Sequence, residues 1–278
     1  MNLSDFRFAR RLTDGEGWGF LPKDFGRLLS LTPGGSLVAE MDGKRAGMLT
    51  TLCTPRRCWI GNVVVSPDHQ GRGIGRQLVL RALTFAESRG RGTVGLLSLA
   101  SAVGFYERLG FLTGRRRTGF GGRVRHAGPL PPSGRIVPMD GALLPRVAAL
   151  DALATGDDRS SLLGRLLRDF GKWSLVCLEG RTVQGYIIGK PGTTGMDIGP
   201  WLARKGQHRA AEALFLRLVS GWARPVEVAV PSQNAWARSF LEGLGLEKTQ
   251  SYVEMHRGPP LPKSGTVEAL AMAGLEKG

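Results

Sequence analysis

Residues Val63 to Leu83 read VVVSPDHQGRGIGRQLVLRAL. A β-branched run leads into a short polar loop, then glycines at Gly71, Gly73 and Gly75, then an amphipathic helix. A strand feeding a glycine-rich loop at a helix start forms a cradle for phosphate. The first N–H groups of a helix lack intrahelical partners, and the helix dipole favours negative charge there. Glycines let the main chain approach a diphosphate with no Cβ in the way, and Arg72 and Arg76 add positive charge at the same mouth. Two nucleotide motifs are excluded. No Lys-Ser or Lys-Thr follows the glycines, as a Walker loop requires. The spacing is GxGxG rather than the GxGxxG of a dinucleotide fold, and the run of βαβ units is missing.

Gln70, Gly71, Arg72, Gly73, Ile74 and Gly75, following Val63, Val64, Val65, Ser66 and Pro67, resemble the acyl-CoA diphosphate loop of the GCN5-related N-acetyltransferase (GNAT) superfamily. That loop reads Q/R-x-x-G-x-G/A, and Gln70, Gly73 and Gly75 fill its fixed positions. A second match lies downstream. Thr93 to Ala100 reads as a buried strand, and AVGFYERLGF (Ala102 to Phe111) as a short helix ending at Gly110. The superfamily's next strand and helix end in a similar A-x-x-x-Y-x-x-x-G-F pattern. Two motifs in order are far more specific than either alone.

The chain has 278 residues, enough for one large domain or two of ordinary size, and an apolar content of 42% supports real cores. No window holds the ~18 uninterrupted apolar residues of a membrane span. MNLSDFRFARRL has no apolar signal region, so a cytoplasmic protein is expected. Cys53, Cys58 and Cys177 read as scattered buried or incidental thiols, and His69, His126, His208 and His256 show no metal-ligand spacing. The net charge of +15 attracts polyanions, coenzyme A among them. Nucleic acid is another, and Gly114 to Gly128 (GRRRTGFGGRVRHAG) superficially resembles a basic RGG segment. Arg, Gly and Ala are used heavily throughout, so general composition explains the basic surface better.

Pro129, Pro131, Pro132, Gly128 and Gly134 break the chain into halves: residues 1–128, a linker at 129–135, and residues 136–278. In the first half FRFARRL reads as a strand and Trp18 to Leu31 as one or two short helices. Ser36 to Leu52 reads as a hairpin turning at Asp42-Gly43, and CWIGNVVVSP as the central strand. In the second half MDGALLPRVAALDAL and RSSLLGRLLRDF read as helices. Trp173 to Lys190 reads as a hairpin, GMDIGPWLA as the central strand, HRAAEALFLRLVSGW as a helix and PVEVAVP as a strand. Asn234 to Leu246 closes the series as a short helix. AWARSFLEGLGL aligns on AVGFYERLGF without a gap, an internal repeat at domain scale. The second copy has lost the glycine loop: Arg209 and Ala211 stand where the repeat wants Gly73 and Gly75, and Leu241 where it wants Tyr106. Leu150 to Leu163, GYIIGKPG, IGPWLA and the tail GTVEALAMAGLEKG also resemble a subgroup in which an active domain precedes a degenerate YitH/HolE-type GNAT domain. The expected fold is therefore α/β (α+β): two tandem GNAT-like domains, each a mixed, mostly antiparallel sheet flanked by helices.

The resemblance implies acetyl transfer from acetyl-CoA to an amine of a small molecule or peptide, with no metal. It implies that the central strand parts from its parallel neighbour, leaving main-chain N–H groups along Val63, Val64 and Val65 to donate to the thioester carbonyl and hold the pantetheine arm. Such fixed donors contribute about 10²–10³ in rate each. Tyr106 fills the family's acid position, where it protonates the leaving thiolate; the same residue also reads as a core aromatic beside Phe105. Many members carry Asn seven residues before that Tyr. Here the position is Leu99, while the second copy keeps Asn234. No general base stands out: Asp68 lies on the diphosphate side, and Glu40 reads as a solvated carboxylate. For the acceptor, Trp18, Phe20 and Phe25 with Asp14, Glu16 and Asp24 would suit an amine with an apolar body, and equally form a helix stripe. Asp157 and Asp158 would meet a cation or cap a helix. Two other function classes remain: a catalytically weak acyl-CoA-binding protein, and a basic nucleic-acid-binding module.

Overall fold

A computed structural model describes residues 1–274. The chain folds as two compact units. One comprises residues 1–114 and 254–260, the other residues 115–253 and 261–274. The segment 129–135, expected as the linker, lies inside the second unit, so the units as compact bodies differ from the halves expected at 1–128 and 136–278.

The first unit opens with helix α1 (Phe6–Gly15), where the sequence reading expected a strand. Phe6 and Phe8 alternate as in a strand, but burial follows Phe8, Ala9 and Thr13, a helical spacing. A capped 3-10 turn at Leu3–Asp5 runs straight into α1, whose own N-cap Asp5 makes no side-chain cap bond. Asn2 accepts from Ser4 N–H, and the Asp5 carboxylate accepts from Asn2 N–H at 2.8 Å. Helix α2 (Pro22–Leu31) starts with Pro at its first position and buries Phe25 and Leu28.

Strands β1 (Leu37–Met41) and β2 (Lys44–Cys53) form the expected hairpin, with Asp42 (φ 51°) and Gly43 (φ 71°) supplying the left-handed turn. Strand β3 (Arg57–Val65) runs antiparallel to β2, and β4 (Thr93–Leu99) parallel to β3. Between them runs α3 (Ile74–Ser88), which buries Ile74, Leu78, Val79, Ala82, Leu83 and Ala86 along one face. The short helix α4 (Val103–Glu107) follows β4. Strand β5 (Leu112–Gly122) leaves this unit at Arg115.

The basic segment expected at Gly114 to Gly128 is thus largely a strand of the second unit, paired with β10 (Val226–Pro231) from Arg117 to Gly122, with Arg117 buried. Strand β6 (Arg135–Pro138) and helices α5 (Leu144–Thr155) and α6 (Ser160–Phe170) come next. The hairpin β7 (Ser174–Glu179) and β8 (Thr182–Pro191) leads to β9 (Met196–Arg204) and α7 (His208–Val219). After β10 come α8 (Ala235–Gly243), β11 (Glu247–Arg257) and β12 (Val267–Ala271). The strand order in this unit is β11-β5-β10-β9-β8-β7-β6, with β12 on β9. Its core is built on Trp201, whose indole N–H donates to Ala211 O at 3.2 Å beneath α7.

Candidate functional site

The repeat order strand, loop, helix, strand, helix is realised in both units, and besides the glycine loop and Tyr106 the two differ at a strand edge. In the first unit β3 and β4 pair only from Arg57↔Thr93 to Ile60↔Leu96. Beyond Ile60 no strand pairs with that side of β3 among the described residues, so the edge of residues 61–65 is open to pairing.

A bulge aims this edge. Against β2 the register jumps between Thr50↔Gly61 and Met48↔Val64, and Asn62 sits at the jump with φ 52°. Its Nδ2 donates to Thr50 Oγ1 at 3.1 Å, and Thr50 Oγ1 donates to Gly61 O at 3.2 Å. Beyond the bulge, Ser66 N–H donates to Ala46 O at 2.8 Å. By alternation Val64 also turns its main-chain groups to β2, while those of Val63 and Val65 face the open side. Of the three donors expected on this strand, Val64 is therefore engaged in the sheet. Asn62 was missed from the sequence; its signal was the Gly-Asn pair inside a β-branched run, a bulge pattern.

The loop continues from the open edge. Gln70 Nε2 donates to Val65 O at 3.1 Å and pins the loop to the strand end. Gly71 (φ 74°) and Gly73 (φ 78°) hold left-handed conformations, and Gly73 caps α3. Gly75 is in the first helical turn, where a Cβ would lie 3.6 Å from Phe105 Cζ, an ordinary contact. Main-chain N–H groups from Gly71 to Arg76, Ile74 included, have no acceptor among the described residues, and the first turn of α3 carries no acid. Arg76 is exposed at this mouth, whereas Arg72 leans away, its Nη1 3.7 Å from Met41 Sδ.

Tyr106 on α4 is 8% exposed, with its ring 4.9 Å from that of Phe105 and 5.9 Å from that of Phe111. Burial pushes its hydroxyl up to about 12. The hydroxyl has no hydrogen-bond partner among the described residues, yet it is not sealed from solvent. Leu99 ends β4 and offers no polar side chain.

The expected acceptor residues divide. Phe25 is fully buried against the rings of Phe6 and Phe20, so it is core. Asp14 pairs with Arg10 at 3.3 Å. Asp24 accepts from Leu21 N–H at 2.8 Å and Arg27 Nη1 at 2.9 Å, which makes it a helix cap. Glu16, Glu40 and Asp68 are exposed, and Trp18 is the remaining exposed aromatic of that group at 38%. In the second unit Asp158 accepts from Ser160 N–H at 2.8 Å, which holds its carboxyl below the usual range, and Asp157 is buried. Both are structural. The cysteines correct another expectation. Cys53 and Cys58 face each other across the β2–β3 hairpin, Cα atoms 4.0 Å apart, and form a disulfide, leaving Cys177 as the buried free thiol. A spacing of five across a tight turn places two such residues directly opposite. No group of metal ligands exists among the described residues, and no helix among them is long and apolar enough to cross a membrane.

The second unit closes what the first leaves open. Strands β9 and β10 pair only at Met196 and Asp197. Beyond this, β12 lies antiparallel on β9, Val267↔Arg204 to Ala271↔Trp201, on the edge away from β8. The chain's own tail thus takes the strand edge that is free in the first unit.

An acetyltransferase (GNAT) family model matches residues 6–111, and an acetyltransferase (GNAT) domain model matches residues 147–267. An uncharacterized N-acetyltransferase of Methanocaldococcus jannaschii is 36% identical over 91 residues, 28% of this chain and 38% of that protein. The uncharacterized N-acetyltransferase YitH of Bacillus subtilis is 25% identical over 200 residues, 68% of this chain and 66% of that protein. The matches thus span less than two thirds of either relative. A putative acetyltransferase from Pyrococcus horikoshii superposes with a TM-score of 0.82 at 22% identity, over 100% of this chain and 94% of that one, a likeness of fold.

Proposed function

Because the chain belongs to the GNAT acetyltransferase family, we propose that it transfers the acetyl group of acetyl-CoA to a primary amine, using the site of its first unit. By the repeat we assign residues 1–128 as the catalytic copy and 136–278 as the degenerate one. The observation that carries the reading is the end of β3–β4 pairing at Ile60↔Leu96, directly before a loop whose N–H groups lack acceptors.

The residues present fit acetyl-CoA. The N–H groups of Gly71 to Arg76 and the dipole of α3 suit a diphosphate. The main-chain groups of Val63 and Val65 suit the amides of the pantetheine arm, with Leu99 contributing no side-chain bond. Acetyl-CoA supplies the acyl group as a thioester. An N–H of the open edge donates to the carbonyl oxygen as charge develops there, held in place by the bulge at Asn62 and so costing no reorganisation. The amine nitrogen bonds to the carbonyl carbon, the carbon–sulfur bond breaks, and one proton leaves the nitrogen while one reaches the sulfur.

In this reading Tyr106 would act on the departing sulfur as a hydrogen-bond donor. With its hydroxyl at about 12 and a thiol near ~8.5, complete transfer of the proton to the thiolate runs uphill by roughly 5 kcal/mol. Tyr106 therefore stabilises the departing sulfur chiefly by donating, and the net proton arrives from the amine by way of solvent. Acetyl-CoA is a cytoplasmic metabolite, which supports the cytoplasm as the working compartment. Release of CoA thiol with a panel of primary amines tests the proposal. Amine-dependent release that disappears in Gly73→Val supports it, and equal release in that variant contradicts it.

A further inference from the structure

In the second unit a cavity of about 660 Å³ lies beside β12, of a size that suits a small-molecule ligand. Four cationic side chains line it: Arg115, Arg117, Lys205 and Lys263. Arg117 is 4% exposed, so one of these charges is held inside the fold, and Arg115 and Lys205 are exposed at the rim. A single carboxylate, Glu268 of β12, reaches the same space, its Oε2 3.8 Å from His208 Nε2 and 3.5 Å from Asn234 Nδ2. His208 and Asn234 stand at the starts of α7 and α8, helices of 12 and 9 residues. Arg117 Nη1 donates to Ala229 O at 3.4 Å, and the lining carries more positive than negative side chains.

We propose that this cavity binds a compact phosphate-bearing small molecule, of nucleotide size or smaller, as a site separate from that for acetyl-CoA. Coenzyme A does not suit the cavity. The strand edge that would hold a pantetheine arm carries β12, and Arg209 stands at the position of the lost Gly73. What remains is a cationic cavity without an open strand edge, complementary to phosphate oxygens. Glu268 places a negative charge in the same cavity, which opposes an anionic ligand.

The test is calorimetric titration of pyrophosphate and, separately, ADP into the full chain at fixed ionic strength. The variants are Gly73→Val, the double variant Arg115→Glu/Lys205→Glu, and Glu268→Gln. The cavity site is read in Gly73→Val, where the diphosphate loop no longer takes either probe, and one saturable site per chain is expected there; the wild type adds binding at the loop. The cavity site weakens at least ~10-fold when the double substitution is added to Gly73→Val and tightens when Glu268→Gln is added. Tighter ADP than pyrophosphate would show that the cavity also holds the nucleoside; equal affinities would mark the phosphates alone as the ligand. Absence of saturable binding by either probe in Gly73→Val overturns the proposal, as does unchanged affinity when the double substitution is added to it. Acetyl-CoA titrated into the same chains separates the two sites: it is lost in Gly73→Val and kept in the double variant, and failure of that pattern counts against the acetyl-CoA site alone.

Discussion

At the scale of single residues, Tyr106 makes the sharpest demand. Its neutral form is the donor, and burial keeps it neutral up to about 12. The alkaline limb of a kcat/KM profile below that pH therefore does not belong to Tyr106. Tyr106→Phe is expected to lower kcat by about 10²-fold, leave the affinity for acetyl-CoA unchanged, and keep the shape of the profile. A loss of affinity equal to the loss of rate would instead make Tyr106 a packing residue. Asp5 gives a stability counterpart. Burial alone would raise its carboxyl, but Asn2 N–H and Arg45, 2.7 Å away, outweigh burial and hold it below the usual value. A depressed carboxyl stabilises the fold fully above the unfolded value of ~3.9, and the contribution is lost as pH falls through the folded value. Asp5→Asn should thus lower Tm at pH 7, with the gap to wild type closing in acid. Asn62 is strained for an ordinary side chain but suits Asn or Gly. Asn62→Val should cost about 1–3 kcal/mol in chemical denaturation, while Asn62→Gly keeps the bulge and loses only the bond to Thr50.

At the scale of elements, the strand–loop–helix of residues 57–88 was legible in outline, without its bulge at Asn62, because a β-branched run, three glycines and an apolar helix face all point the same way. Helix α1 was not. Phe6 and Phe8 mimic strand alternation, and the capped turn that leads into α1 lies outside the run, at Asn2 to Asp5. The role of Val64 was also hidden, since which of three adjacent valines faces the open edge depends on a bulge two residues earlier. Strand β12 could not be placed from the tail's own pattern; it is defined by an edge that the β9–β10 separation creates. A buried network in the second unit has the same character. Arg159 donates to both carboxylate oxygens of Asp151, at 2.8 and 2.6 Å, and Tyr186 donates to the same group, all three side chains lying inside the fold. Removing the carboxylate leaves a buried guanidinium uncompensated, so Asp151→Ala should cost about 3–5 kcal/mol in denaturant unfolding. A cost near zero would mean that solvent reaches Arg159.

At the scale of the whole molecule, the repeat was legible as sequence but not as bodies. The halves expected at 1–128 and 136–278 each lack a piece of the unit they were meant to be. The second unit needs β5, which pairs with β10 from Arg117 to Gly122. The first unit includes residues 254–260, where Gly258 (φ 87°) packs so closely on Gly92 that a Cβ would overlap its carbonyl oxygen. Fragments 1–128 and 136–278 expressed alone should therefore fail to give cooperative unfolding transitions, while the full chain gives them. Proline and glycine density marks residues 128–134, which lie inside the second unit; strand pairing decides which residues fold together.

The central claim is that one copy binds acetyl-CoA and the other, with β12 on its strand edge, does not. The most direct measurement is the stoichiometry of acetyl-CoA binding to the full chain by equilibrium titration, in the wild type and in Gly73→Val. The structure predicts one equivalent per chain in the wild type and none in the variant. Two equivalents, no binding at all, or one equivalent surviving in Gly73→Val would contradict it.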